Sequence, residues 1–325
     1  MIGINENSAE LVLSPNSTAE EKKKEIVIEA MDKSLEDLHI EIVTAYLNDY
    51  NTIEVIGPSI EEHMISLKSI LRNLTGMEIM EQTGTRLVAM DMLKIDDISV
   101  NTIVKRMDMI TRTMLDDVTV CLEKKRSHAI EHRDHDVNRL YYLGSRVVKH
   151  AMENPSAAKK LEMSPWELKC AKDIMMRIEE IADRQKRICR LVEDANFSDD
   201  TLHEFRKIKK ELKIRYETVM KSYYTKDKGI AFGIEATNRQ FIAMCDRFFE
   251  NVSRSLTIKV EKGKRVPDAK ESDYCKDCIY YQQMGSRSPD SLSMKNIVPA
   301  AKMMENTKAT VSFIKSIART VMSLD

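Results

Sequence analysis

Proline is absent from two long stretches of the chain, and this absence constrains the fold more than any other feature of the sequence. No proline occurs from Ser59 to Asn154 or from Trp166 to Val266. Because a proline inside a helix costs about 3 kcal/mol, long stretches without it are typical of helices. The 21 methionines and an aromatic content of 6% favour the same fold class, since sheets rely on β-branched and aromatic side chains. We therefore predict a mainly helical protein.

Apolar residues recur at the three-four spacing of a buried helix face in successive segments after residue 100. Short connections between such helices imply antiparallel neighbours and hence a bundle. The apolar face of the last segment needs a partner, either the bundle or another chain, and most such faces are buried within their own chain. The segments run from Val100 to Cys121, Ile130 to Ala151, Ala171 to Val192, Leu202 to Tyr223, Ile234 to Val252 and Ile297 to Val321.

The part of the chain before the helical segments has a different pattern, in which short strands alternate with helices. Ser34 is a candidate N-cap for a helix that reaches about Tyr50, and Thr83-Gly84 marks a turn between two strands. Residues 14–24 are polar and charged, which is typical of a linker. The predicted strands lie at Ile26 to Ile28, Thr52 to Ile56, Met77 to Gln82 and Arg86 to Met90, with a further helix from Ser59 to about Asn73.

Charge and targeting signals narrow the class of protein. The 51 basic and 52 acidic residues nearly balance, so the chain has no net attraction to nucleic acid, and DNA binding is not favoured. The start MIGINENSAELVLSP lacks the features of a signal peptide, and no run of about 18 apolar residues suggests a membrane span. We expect a cytoplasmic protein whose helical cysteines are reduced core thiols, at Cys121, Cys170, Cys189 and Cys245.

Glu179 and Asp183 are four residues apart, so both carboxylates leave one face of the predicted helix and could bind one hard cation. At about 100° per residue they lie away from the apolar stripe, which places them on the outside of this helix. On spacing alone, a solvated face with intrahelical pairs to Lys186 and Arg187 is the favoured alternative.

The preceding helical segment repeats this spacing with Asp134 and Asn138. Asparagine offers a neutral oxygen, so this pair would hold a cation more weakly than two carboxylates. An acidic residue near a helix start is also stabilised by the helix dipole, which is the alternative interpretation. The two pairs together are the candidate metal ligands of the sequence.

Motifs that carry catalysis are missing from the sequence. It contains no GxxxxGK phosphate loop, no GxGxxG, no HExxH and no serine nucleophile elbow. Cys275 and Cys278 have the spacing of half a zinc site or of a redox pair, but no second cysteine pair follows them. Two reduced thiols in a surface loop are therefore favoured, and a zinc half-site completed by a second subunit is the main alternative. We expect that the protein is not an enzyme.

Two strings in the sequence resemble the motifs of a known protein family, which is evidence of a different kind from residue spacing. RDHDVNRLYYL, at residues 133–143, and IEEIADRQKRI, at residues 178–188, resemble the two acidic helix motifs of the PhoU family of phosphate-uptake regulators, in its archaeal branch. The resemblance covers residues from about 100 to 258 and implies six helices in two three-helix repeats. Residues 20–93 also resemble the segment that precedes this bundle in archaeal members.

The resemblance implies a regulator that couples phosphate status to phosphate transport through contacts with a transporter or a sensor kinase. It also implies a homo-oligomer and a divalent or iron-type metal at the acidic motifs. Asn138 replaces an aspartate of the family pattern, and Arg184 replaces a frequent histidine. The implied ligands are Asp134, Asn138, Glu179 and Asp183.

The N-terminus offers a second functional hypothesis. Many archaeal relatives begin with an AbrB-like DNA-binding hairpin, and the string ELVLSP, at residues 10–15, resembles its last strand. The part that would precede this strand is missing from the sequence, so we expect a truncated domain. The alternative function is a transcriptional regulator that uses this N-terminus on DNA. The expected division is an N-terminal remnant and linker (residues 1–24), a small α/β unit (25–93), a PhoU-like bundle (98–258) and a CxxC loop with a C-terminal helix (259–325).

Overall fold

A computed structural model describes most of the chain and divides it into two compact units, Met1–Lys94 and Ile95–Asp325. Cys275 and Cys278 lie outside the described residues, so their predicted roles stay predictions. The described ranges are 2–5, 10–13, 24–58, 60–124, 128–194, 197–260 and 291–324. Side chains are described for 24–58, 60–123, 129–193, 197–253 and 297–324.

The first unit contains an antiparallel hairpin and a four-stranded sheet, and the alternating pattern of this region predicted the strands of the sheet but not the hairpin. The hairpin pairs Ile2 with Leu13. In the sheet the order is β3-β4-β6-β5, with β3 and β4 parallel and the other pairs antiparallel. The elements are β1 Ile2–Asn5, β2 Glu10–Leu13, β3 Glu25–Glu29, α1 Leu35–Leu47, β4 Thr52–Ile56, α2 Ile60–Arg72, β5 Met77–Gln82 and β6 Arg86–Asp91.

Local chemistry explains where these elements begin and which face they bury. The Ser34 hydroxyl accepts a hydrogen bond from the Asp37 N–H, and the Asp37 carboxylate accepts one from the Ser34 N–H, which forms a capping box at the start of α1. The predicted N-cap is therefore confirmed. In β4, Ile53 and Val55 are fully buried while their neighbours are not, which is the period-two pattern of a strand covered by helices on one face.

The second unit is helical throughout its described length, which confirms the prediction of a mainly helical protein. This unit begins with a short 3-10 turn, Ile95–Asp97. Among the described residues, no helix has both the length and the apolar character needed to cross a bilayer. The helices are α3 Val100–Lys124, α4 His128–Glu153, α5 Pro155–Leu161, α6 Pro165–Asp194, α7 Asp199–Thr225, α8 Lys228–Ala236, α9 Asn238–Val260 and α10 Ser291–Met322.

Helix α6 lies at the centre of this unit and packs against α3, α4 and α10. The last helix, α10, contacts α6, α7, α8 and α9, so its apolar face is buried within the chain and not left for another one. Residues 98–258 thus do not contain the whole helical core. The specific prediction of six helices in two three-helix repeats is not confirmed, because α10, from outside that range, packs in the same core. The predicted division into four parts stays a prediction.

The four cysteines of the helical segments are free thiols in the core, as predicted. Cys121, Cys170, Cys189 and Cys245 are all buried. The Cys121 Sγ lies 3.5 Å from the carbonyl oxygen of Cys189, which joins α3 to α6. Burial raises the pKa of the Cys170 thiol, so this side chain behaves as a small apolar group.

Candidate functional site

The two acidic motif strings lie on neighbouring antiparallel helices. Glu131 of α4 pairs with Arg190 of α6, and Asp134 pairs with Lys186. The residue number thus rises along one helix as it falls along the other. Asp134 lies on the same face of α4 as Ile130 and is only 6% exposed. The packing of α4 on α6 therefore brings Asp134 to the turn of α6 that contains Asp183.

Lys186 joins the two strings. Its Nζ lies 2.6 Å from Oδ2 of Asp134 and 3.1 Å from Oδ1 of Asp183. The Arg187 Nε lies 2.7 Å from the other oxygen of Asp183. The pairs of Asp183 with Lys186 and Arg187 that belonged to the alternative interpretation are thus present, although the solvated face of that interpretation is not. The contact from Lys186 to Asp134 is an addition that spacing did not predict.

Glu179 lies one turn from Asp183, and its carboxylate is not neutralised in the same way. Among the described residues, no hydrogen bond or ion pair reaches it, whereas its neighbour Glu180 pairs with Arg177 at 2.6 Å. Burial raises the pKa of Glu179 to about 7, with further contributions from the negative charges of Asp183 and Asp134. This site therefore concentrates negative charge.

Glu179 and Asp183 are less exposed than their predicted position on the outside of the helix implies. Both are half-buried, because α4 covers the side of α6 from which they extend. Asn138, the fourth predicted ligand, is also half-buried on α4, and no described hydrogen bond joins it to the three acidic residues. The structure therefore brings together Asp134, Glu179 and Asp183, whereas no described contact joins Asn138 to them.

The carboxylate oxygens of Asp134, Glu179 and Asp183 meet some of the requirements of a cation site but not all. Oδ1 of Asp134 is buried without a hydrogen-bond partner, and the Glu179 carboxylate is unpaired, so the cluster has unused oxygen acceptors. The position between Asp134 and Asp183, however, is taken by the Lys186 ammonium. Within the described part of the chain, no three His, Cys, Asp or Glu side chains are grouped as metal ligands would be. The metal predicted from the resemblance stays a prediction.

The residues between Asp183 and Lys186 connect this site to the C-terminal helix. Arg184 Nη1 donates to Oδ1 of Asn306 at 3.1 Å, and Gln185 Nε2 donates to Oγ1 of Thr310 at 3.2 Å. A single turn of α6 thus contacts α4 on one side and α10 on the other.

A buried lysine completes this connection. The Lys209 ammonium of α7 donates to Oε1 of Gln185, and the side chain is 2% exposed. Burial lowers the pKa of Lys209 to about 7. Lys209 is not among the site residues predicted from the sequence. The sequence does contain a signal for it, because Lys209 lies four residues after Phe205 and three before Leu212 on the apolar stripe of α7.

Comparison with known proteins adds no relative. No family model, curated protein or solved structure matches this chain. The likeness to phosphate-uptake regulators therefore rests on the two motif strings.

Proposed function

We propose that this chain is a regulator of phosphate uptake and signalling that responds to phosphate status and acts through contacts with a transporter or a sensor kinase. One observation carries the proposal. The two motif strings, separated by more than thirty residues in the sequence, lie on adjacent helices, and Asp134 of the first reaches the same lysine as Asp183 of the second. Their resemblance to the family motifs thus concerns residues that form one cluster.

The arrangement around the cluster supports a role in protein contacts. Arg184 and Gln185 connect it to α10, so a change of charge or packing at the cluster would be felt by the last helix. The predicted homo-oligomer is a separate hypothesis that light scattering of the purified protein tests.

Co-purification under two phosphate conditions tests the proposed function. The full chain is used as bait in its own host, grown with abundant and with limiting phosphate, and phosphate-transporter subunits and sensor kinases are quantified in the eluate. We expect one of these partners to be retained in a phosphate-dependent manner. A double variant, Asp134→Ala with Glu179→Ala, should weaken retention, while Asp136→Ala, at an exposed position of the same helix, should not. Equal recovery under both conditions, with unchanged phosphate uptake in cells lacking the protein, would contradict the proposal.

The hairpin β1-β2 favours a second candidate function. Its second strand, Glu10–Leu13, coincides with the string that resembles the last strand of an AbrB-like domain. The alternative is therefore a DNA-binding regulator. A gel shift with the full chain at physiological salt separates the two functions, because tight binding that survives unspecific competitor DNA would favour the regulator of transcription.

A further inference from the structure

The Lys186 ammonium lies where the carboxylates of two helices converge. Its Nζ is within hydrogen-bond distance of one oxygen of Asp134 on α4 and one oxygen of Asp183 on its own helix, at 2.6 and 3.1 Å. Only 17% of the Lys186 side chain is exposed, and Asp134 is less exposed still. Convergence of carboxylate oxygens from two elements is also how proteins bind hard divalent cations.

Two observations show that this position demands a positive charge. Oδ1 of Asp134 is buried without a hydrogen-bond partner, and the half-buried Glu179 carboxylate has no partner among the described residues. The ammonium is thus stabilised as a cation by the same oxygens that a metal ion would use.

We propose that Lys186 is a built-in cation which takes the place of a divalent metal, so that the carboxylates of Asp134 and Asp183 are neutralised without one. Because the ammonium is tethered to the same helix as Asp183, its local concentration is far higher than that of any ion in solution. A metal that entered would have to displace it and leave a partly buried lysine without its acceptors. This inference concerns the chemistry of the cluster and goes beyond the proposed function, since it does not depend on which partner the protein contacts.

Removal of the lysine tests the inference by a gain of function. The Lys186→Met variant leaves the carboxylates of Asp134 and Asp183 without the ammonium that lies between them. We expect it to bind Mn²⁺ at least about tenfold more tightly than the wild type. Binding is measured by calorimetric titration of the full chain with Mn²⁺ and by the shift in melting temperature that Mn²⁺ produces. Lys172→Met, at an exposed position of α6, is the matched control and should behave as the wild type. Adding Glu179→Gln or Asp134→Asn to Lys186→Met should remove the gained binding.

Each result decides the inference. Wild-type protein that binds Mn²⁺ as tightly as Lys186→Met overturns it, and so does a folded Lys186→Met protein that does not bind Mn²⁺. If Lys186→Met does not fold without metal, recovery of its helical circular dichroism on adding Mn²⁺ supports the inference. Lys186→Gln, which keeps a hydrogen-bond donor but not the charge, is measured in parallel, and failure of this folded variant to bind Mn²⁺ overturns the inference as well.

Discussion

The Lys186 ammonium donates a hydrogen bond of 2.6 Å to Oδ2 of Asp134, although 52 residues of sequence separate the two side chains. The bond joins the helices that carry the two motif strings. Both side chains are largely buried, so the pair is shielded from solvent and salt. The same ammonium also contacts Asp183, which makes it the centre of the acidic cluster.

The Asp134→Asn substitution should destabilise the protein. It removes one partner of a buried ion pair and leaves Lys186 with Asp183 alone, so we expect the free energy of unfolding to fall by about 3 kcal/mol. Urea denaturation followed by circular dichroism at pH 7.5 measures the change. Asp136→Asn, at an exposed position, should stay within about 0.5 kcal/mol of the wild type. Equal effects of the two substitutions would show that the pair with Lys186 contributes no stability.

Replacement of Lys209 by methionine should stabilise the protein in a pH-dependent manner. The pKa of Lys209 is about 7 in the folded chain, below the ordinary 10.5, so the unfolded state binds more protons between these values and stability rises with pH there. Lys209→Met removes this dependence. The free energy of unfolding of Lys209→Met should exceed that of the wild type most at pH 7 and below. Above pH 7 this difference should shrink by about 1 kcal/mol per pH unit.

Urea denaturation of both proteins at pH 7, 8 and 9 measures this difference. Titration of the cysteines affects the stability of both proteins equally, because both contain the same thiols. It therefore does not contribute to the difference between them. Lys210→Met, at the adjacent exposed position of α7, is the control and should show no such trend. A constant difference between Lys209→Met and the wild type across the three pH values would show that the buried amine does not titrate as the structure indicates.

Two glycine-to-alanine substitutions should have opposite effects. A Cβ at Gly144 would lie 2.4 Å from Sδ of Met175 and 3.2 Å from Cγ2 of Ile103, where α4 meets α6 and α3. We expect Gly144→Ala to cost about 1–3 kcal/mol through overpacking. A Cβ at Gly233, in α8, meets nothing within 4 Å, so Gly233→Ala should stabilise by up to about 1 kcal/mol. Thermal unfolding compares the two, and a melting temperature that rises in both would contradict the packing at Gly144.

The hydrogen bond from Tyr224 to Asp108 should contribute to the contact between α7 and α3. The Tyr224 hydroxyl donates to Oδ2 of the buried Asp108 at 2.9 Å, and Arg112 donates to both oxygens of the same carboxylate. Tyr224→Phe should lower the free energy of unfolding by about 1–2 kcal/mol, because the acceptor is charged. Tyr223→Phe is the control, since no described hydrogen bond involves its hydroxyl. Chemical denaturation should separate the two variants, and identical midpoints would assign no stability to this bond.

The secondary structure of this protein follows largely from its sequence. Ser34 caps α1, the strands at β4 and β5 lie where predicted, and the proline-free stretches are mostly helical. These features could be predicted because caps, turns and hydrophobic periodicity act between residues a few positions apart. The pairs of Asp183 with Lys186 and Arg187 are local in the same sense and were predicted from helical spacing.

Tertiary structure decided the rest, for a physical reason. The contact from Lys186 to Asp134 depends on the direction and register in which α4 packs on α6. The spacing of residues within one string predicts neither the direction nor the register of that packing. The same holds for α10, whose apolar face was expected to favour the bundle over another chain and whose contacts with α6 and α9 place it in the core. Lys209 also entered the core against the usual preference of lysine, because Gln185 of a neighbouring helix offers it an acceptor there. Sequence alone thus determined which residues form helices and which faces are apolar, whereas packing decided which charges meet.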